Sequence, residues 1–227
     1  MDRRNNFNLI RLLAAVQVMA YHVSTHLHMP MAPWLNQLVG FFPGVPIFFV
    51  ISGFLISASW ERSPDLKHYA LRRALRIFPA MWVCLLVSIM LMAVLASIKP
   101  PVLWIVGQLT IGQPWTPGVF RTYGVGTPNG SLWTIPVELE FYAVLPAIYL
   151  IGRKLRSIDA LLVVLSLASI GLQLHPLNKL VGFTVAPFLW EFVLGVLIQR
   201  HFDRLRPLLE EKALYWLTGF VAVAWML

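Results

Sequence analysis

The chain has 227 residues, of which 58% are hydrophobic and only 12% charged, with a formal net charge of +8. Soluble domains carry about 25% charged residues, so a soluble globular class is excluded and an integral membrane protein is implied. Nucleic acid is excluded as the reason for the positive charge, because the basic residues cluster in short segments between apolar runs, as membrane topology requires.

Arg3 and Arg4 precede the first apolar run as in a signal peptide, but no persuasive cleavage site follows, so the first helix is read as retained. That run, 7–28, is the first predicted span, and it carries Arg11 and His22. Eleven residues at about 100° each return to within about 20° of the starting face, with roughly 16 Å between the two along the axis. An ionisable group inside a bilayer reads as functional by default. The structural alternative is a histidine bonded to a neighbouring helix and an arginine reaching to the interface. His22 and His26 stand four residues apart, with His28 nearby, but no metalloprotease pattern or carboxylate accompanies them. No metal is expected.

The second predicted span, 37–60, contains Phe48 to Ile56, in which Ser52-Gly53 reads as a small-residue packing site. Ser52 has no glycine two residues before it, which excludes a nucleophile elbow. The segment 61–76 follows as a loop carrying Arg72, Arg73 and Arg76. Arg73 and Arg76 share a helical face at i and i+3, and guanidinium forks suit phosphate; ordinary charge at a cytoplasmic helix end explains them equally. The third span is 77–98 and contains Cys84, whose lack of a second cysteine excludes an intrachain disulfide.

The long segment 99–130 is rich in Pro, Gly and Thr. Its apolar stretch 101–112 is too short to span and is bounded by Pro100, Pro101, Gly112 and Pro114, so it is read as re-entrant or interfacial. Loops of this length commonly serve as lids or binding surfaces. Trp104, Trp115 and Trp133 are expected to anchor the interface. The fourth span, 131–151, opens with Ser131-Leu132-Trp133-Thr134-Ile135-Pro136-Val137-Glu138-Leu139-Glu140. Pro136 suits a helix start. Glu138 and Glu140 lie about 200° apart and cannot both face one site. A carboxylate near His22 would orient its ring for acid–base work; the alternative is an ion pair with Arg11 or Arg121. Further spans are predicted at 158–174, 180–199 and 213–227.

With a cytoplasmic N-terminus, the segments 1–6, 61–76, 152–157 and 200–212 face inward and hold fourteen Lys and Arg residues. The outward segments hold three: Lys99, Arg121 and Lys179. This bias supports seven spans with 101–112 not crossing. The predicted fold is an all-α polytopic bundle, multi-pass in the plasma (inner) membrane.

Taken together, these segments resemble the acyltransferase-3 family of membrane acyltransferases. The resemblance is carried by Arg11 with His22, by Phe48 to Ile56, by Arg73-x-x-Arg76 running into Ile77-Phe78-Pro79, and by Ser131 to Glu138 followed by Phe141-Tyr142 and Pro146. Phe192 to Gly195 matches a later family element. Each motif alone is modest; their order along residues 7 to about 200 is specific. The resemblance implies an enzyme, an acyltransferase for groups other than amino-acyl, that moves an acyl group, usually acetyl, from acyl-CoA to a hydroxyl of a carbohydrate or lipid-linked glycan outside the cytoplasm. It implies His22 as catalytic base or acyl-relay residue, Arg11 as part of the same motif, and Glu138 as an assisting group. Arg73 and Arg76, with Arg72 beside them, would hold the donor phosphates. The family bundle has about ten spans, so 1–227 is expected to be a single domain that is C-terminally incomplete. Two other classes fit the polar groups: a proton-coupled transporter or channel subunit, which would not bind coenzyme A, and a non-catalytic membrane scaffold, which would not depend on His22.

Overall fold

The computed structural model describes residues 6–27, 29, 31–123, 125–209, 212, 215 and 218. Among the described residues the chain forms helices and no strand. In order they are α1 (Phe7–His26), α2 (Pro33–Phe41), α3 (Gly44–Arg62), α4 (Leu66–Leu91), α5 (Val102–Gln108), α6 (Thr134–Gly152), α7 (Ile158–Leu174), α8 (Leu189–Arg200) and α9 (Phe202–Leu209). Among the described residues, four helical stretches are long and apolar enough to cross a membrane: Phe7–His26, Gly44–Arg62, Leu66–Ala96 and Gly130–Gly152. The all-α membrane fold predicted from composition is the fold that forms.

The predicted span boundaries are revised in three places. The run 37–60 is broken between α2 and α3. Phe42 precedes Pro43, which disfavours the helical conformation there. Gly44 then restarts the helix in a tight spot, where a Cβ would lie 2.7 Å from the Ala14 carbonyl oxygen of α1. The segment 61–76 is not a loop. Only Ser63–Asp65 interrupts the helices, and the Asp65 side chain accepts the His68 N–H at 2.9 Å, capping α4 at its first turn. Finally, 180–199 begins as two 3-10 turns, Val181–Phe183 and Ala186–Phe188, before α8. Pro187 has no N–H to continue a ladder. Helix α7 has 17 residues, about 25 Å of length against a hydrocarbon core of about 30 Å. The predicted span 213–227 lies outside the described residues except for Tyr215 and Thr218. Helix α5 has 7 residues, roughly 10 Å, and does not span.

Contacts divide the chain into two compact units, Met1–Ala58 with Glu191–Leu227, and Ser59–Trp190. In the first, α3 and α8 cross on glycines: a Cβ on Gly53 would sit 2.0 Å from the Phe192 carbonyl oxygen, and one on Gly195 would sit 2.0 Å from that of Val50. The small-residue reading of Ser52-Gly53 is thus realised as backbone contact. Phe49 stacks on Phe192 at 4.5 Å, and Ser57 Oγ donates to Gln199 Oε1 at 3.0 Å. Helix α1 keeps Leu9, Leu12, Val16 and Met19 exposed, an apolar face suited to lipid.

In the second unit, α6 buries Val137, Phe141 and Leu145. Leu85 and Met92 of the α4 stretch pack with Trp104 and Phe120. Trp104 is therefore core, 3% exposed and set edge-on to Phe120 at 4.8 Å, rather than the interface anchor expected of it. Trp115 is 44% exposed, and Trp133 packs on Phe188 at 5.3 Å.

Candidate functional site

The first unit carries the histidine site. His22 Nδ1 lies 3.2 Å from His26 Nε2, and the two rings stack with centroids 5.2 Å apart and 18° between planes. Four residues bring two side chains onto one face one turn apart, so this pairing follows from helix geometry. When His26 accepts from Nδ1–H, the other ring nitrogen of His22 keeps its lone pair and is set as a base. The edge of Tyr21 meets the His22 ring at 5.9 Å. Both residues border a cavity of about 340 Å³ that also takes its walls from Gly40 of α2 and Gly44, Val45 and Pro46 of α3.

Gln17 frames that cavity. Its Nε2 donates to the Val39 carbonyl at 2.6 Å, and its Oε1 accepts the Gly44 N–H at 3.1 Å. One amide thus satisfies both the end of α2 and the start of α3, where backbone groups lack intrahelical partners. Arg11 stands eleven residues before His22 on α1, half-buried. His28 lies outside the described residues. Among those described, no three His, Cys, Asp or Glu side chains gather as metal ligands.

The second unit holds the arginine and glutamate positions, and it brings together two groups that the sequence reading set apart. The Tyr142 hydroxyl donates to Glu138 Oε1, one turn earlier on α6. The guanidinium of Arg73 lies over the Tyr142 ring, 5.7 Å from its centroid, within cation–π range. Tyr69, one turn before Arg73 on α4, donates its hydroxyl to the Tyr142 carbonyl at 3.0 Å. Arg73 was expected in a cytoplasmic loop and Glu138 at the opposite end of a span. The helix begins at Leu66, so Arg73 is about two turns inside α4 and reaches the middle of α6. Arg73 Nε is buried with no hydrogen-bond acceptor among the described residues. Arg72 and Arg76 are exposed.

Glu140 serves differently from Glu138, as their angular separation requires. Its Oε2 accepts the Val185 N–H at 2.7 Å and fixes the turn before α8. In the 99–133 segment, Gln113 Nε2 donates to the carbonyls of Gln108 at 2.9 Å and Thr110 at 3.0 Å. Asn129 Nδ2 donates to Cys84 Sγ at 3.2 Å. Gln108, Gln113 and Asn129 border a cavity of about 10 Å³, room for one water. Within the loop, Trp104, Gln108, Gln113 and Phe120 are buried.

The sequence assigned no role to Gln17 or Glu191; Tyr142 entered only as a motif member, and His26 only as a metal ligand weighed and set aside. Tyr142 at four residues from Glu138 was the available signal. Glu191 is 2% exposed in the first turn of α8, where a carboxylate favours the helix N-terminus.

The model of the acyltransferase domain family matches residues 4–227. Nodulation protein 10 of Rhizobium leguminosarum bv. viciae is 35% identical over 98% of this chain and 66% of its own length. The peptidoglycan O-acetyltransferase OatA of Listeria monocytogenes is 29% identical over 64% of this chain and 24% of its own. An O-acetyl transferase of Shigella phage Sf6 is 30% identical over 63% and 45%, respectively. The chain thus spans at most 66% of the length of these relatives. No solved structure matches it. By the family match along nearly its whole length, and by the order of its motifs, the chain belongs to the acyltransferase-3 family.

Proposed function

We propose that the full-length protein is a membrane O-acyltransferase that moves an acyl group, acetyl first among them, from cytoplasmic acyl-CoA to a hydroxyl of an extracytoplasmic carbohydrate or glycolipid. The observation that carries this reading is His22: an imidazole on a helix apolar enough to cross a membrane, oriented by His26 and bordering a cavity. The names of the relatives support O-acetyl transfer and, for OatA, a peptidoglycan acceptor.

In this reading His22 takes the proton of the acceptor hydroxyl. The hydroxyl oxygen forms a bond to the acyl carbonyl carbon, the carbon–sulfur bond breaks, and the proton leaves with the sulfur as free coenzyme A thiol. The donor phosphates bind at Arg73 and Arg76. The unmatched, buried Nε of Arg73 supports this, because a buried donor without an acceptor costs free energy until an anion meets it. Glu138, held by Tyr142 beside Arg73, limits the excess positive charge there and steers the guanidinium.

The test uses the full-length protein in membranes. His22→Ala and His22→Gln are expected to abolish acyl transfer while coenzyme A binding stays within about threefold, since the phosphates bind at other residues. Near-normal turnover by His22→Ala would overturn the mechanism.

A further inference from the structure

We infer that the cavity beside His22 receives the acyl end of the donor, and that Gly40 limits the length of the acyl group it accepts. This rests on the function proposed above and adds which part of the substrate lodges there.

The chemistry of the walls selects the occupant. Val18, Val45 and Pro46 are apolar, and Gly40 and Gly44 present only backbone. Of the polar residues, Gln17 already bridges Val39 and Gly44. Tyr21 and His22 remain. One carbonyl on a short hydrocarbon chain suits that balance. A sugar ring, with a hydroxyl on most carbons, would leave several of them without partners, each at a cost.

Size points the same way. The cavity of about 340 Å³ is at the small end of ligand sites, which run from about 300 to 1,000 Å³. That is more than an acetyl group fills and enough for a chain of a few carbons.

The two glycines have opposite roles. A Cβ on Gly44 would meet the Ala14 carbonyl oxygen at 2.7 Å and Gln17 Oε1 at 2.4 Å, so Gly44 is required for α1 and α3 to approach. A Cβ on Gly40 would meet nothing within 4 Å. Gly40 is exposed at the border of the cavity, so a side chain there has room to occupy the cavity without displacing its frame, and Gly40 is the wall position at which acyl length can be limited.

Full-length wild-type protein, Gly40→Ala and Gly40→Val in membranes would be given labelled acetyl-, propionyl-, butyryl- or hexanoyl-CoA, and label in the glycan fraction counted. Wild type is expected to use acetyl, propionyl and butyryl groups within about tenfold of one another. Gly40→Val should lower the butyryl-to-acetyl ratio by about tenfold or more, and Gly40→Ala by less in the same direction. A wild type restricted to acetyl, or Gly40 variants with the wild-type ratio, would overturn the assignment. His22→Ala in the same assay separates the two claims. If it is inactive while the Gly40 ratios are unchanged, only the acyl subsite falls. If it stays active while the Gly40 ratios shift, the catalytic role of His22 falls and the subsite stands.

Discussion

A single hydrogen bond determines which nitrogen of His22 can act. Nδ1 faces His26 at 3.2 Å; in the proposed mechanism His26 accepts from Nδ1–H, which leaves Nε2 as the base. His26→Ala removes the acceptor and frees the ring to turn. We expect its kcat to fall about tenfold or more with KM for acyl-CoA unchanged, because proton transfer of this kind contributes about 10²–10⁴-fold. His26→Gln keeps a carbonyl acceptor and should recover most of the rate; equal losses for both variants would make His26 structural. At the arginines, Arg73→Ala with Arg76→Ala should weaken coenzyme A binding more than tenfold, as charge-assisted bonds of about 1.5–3 kcal/mol are lost. Arg153→Ala with Lys154→Ala removes two charges as well and should cost much less in the same titration. Equal losses would reduce the arginines to general surface charge. Arg11, His22, Arg73 and Glu138 were all legible as residues, because ionisable groups are conspicuous in apolar sequence. The meeting of Arg73 and Glu138 on Tyr142 was not, since it depends on how far α4 extends past α6.

Helix positions were legible wherever an apolar run met a capping or breaking residue, and unreliable where the run was continuous. The segment 37–60 reads as one helix by hydropathy. It divides because Phe42-Pro43 breaks the conformation and Gly44 must touch α1. The segment 61–76 reads as a loop because it is polar, yet Asp65 caps it into α4. Trp104 shows the same limit: a tryptophan in a short apolar stretch of a loop reads as an anchor, but contact with Phe120 makes it core. The α3–α8 crossing gives a test at this scale. Gly53→Ala puts a methyl against the Phe192 carbonyl and should destabilise the protein by about 1–3 kcal/mol, as overpacking does. Gly40→Ala, with open space around its Cβ, should cost a few tenths at most or stabilise. Thermal unfolding of the detergent-solubilised protein compares them, and equal midpoints would contradict the close crossing.

For the whole molecule, composition and loop charge carry the membrane class, and the motif order carries the family that the domain match then establishes. Spans without strong hydropathy contrast were harder to place: α7 has 17 residues and α8 has 12, and turns absorb the rest of the apolar sequence. The charge bias also supports a cytoplasmic N-terminus; the proposed reaction then has Arg73 and Arg76 meet acyl-CoA from the side where it is made, with the acceptor on the other. The most direct measurement is label transfer in oriented membrane vesicles containing the full-length protein, with labelled acetyl-CoA added outside. Inside-out vesicles, which present the cytoplasmic face, are expected to place alkali-labile acetyl groups on glycan in their lumen, and right-side-out vesicles are not. Incorporation no greater than in vesicles lacking the protein, or equal from both orientations of sealed vesicles, would contradict acyl transfer across the membrane by this protein.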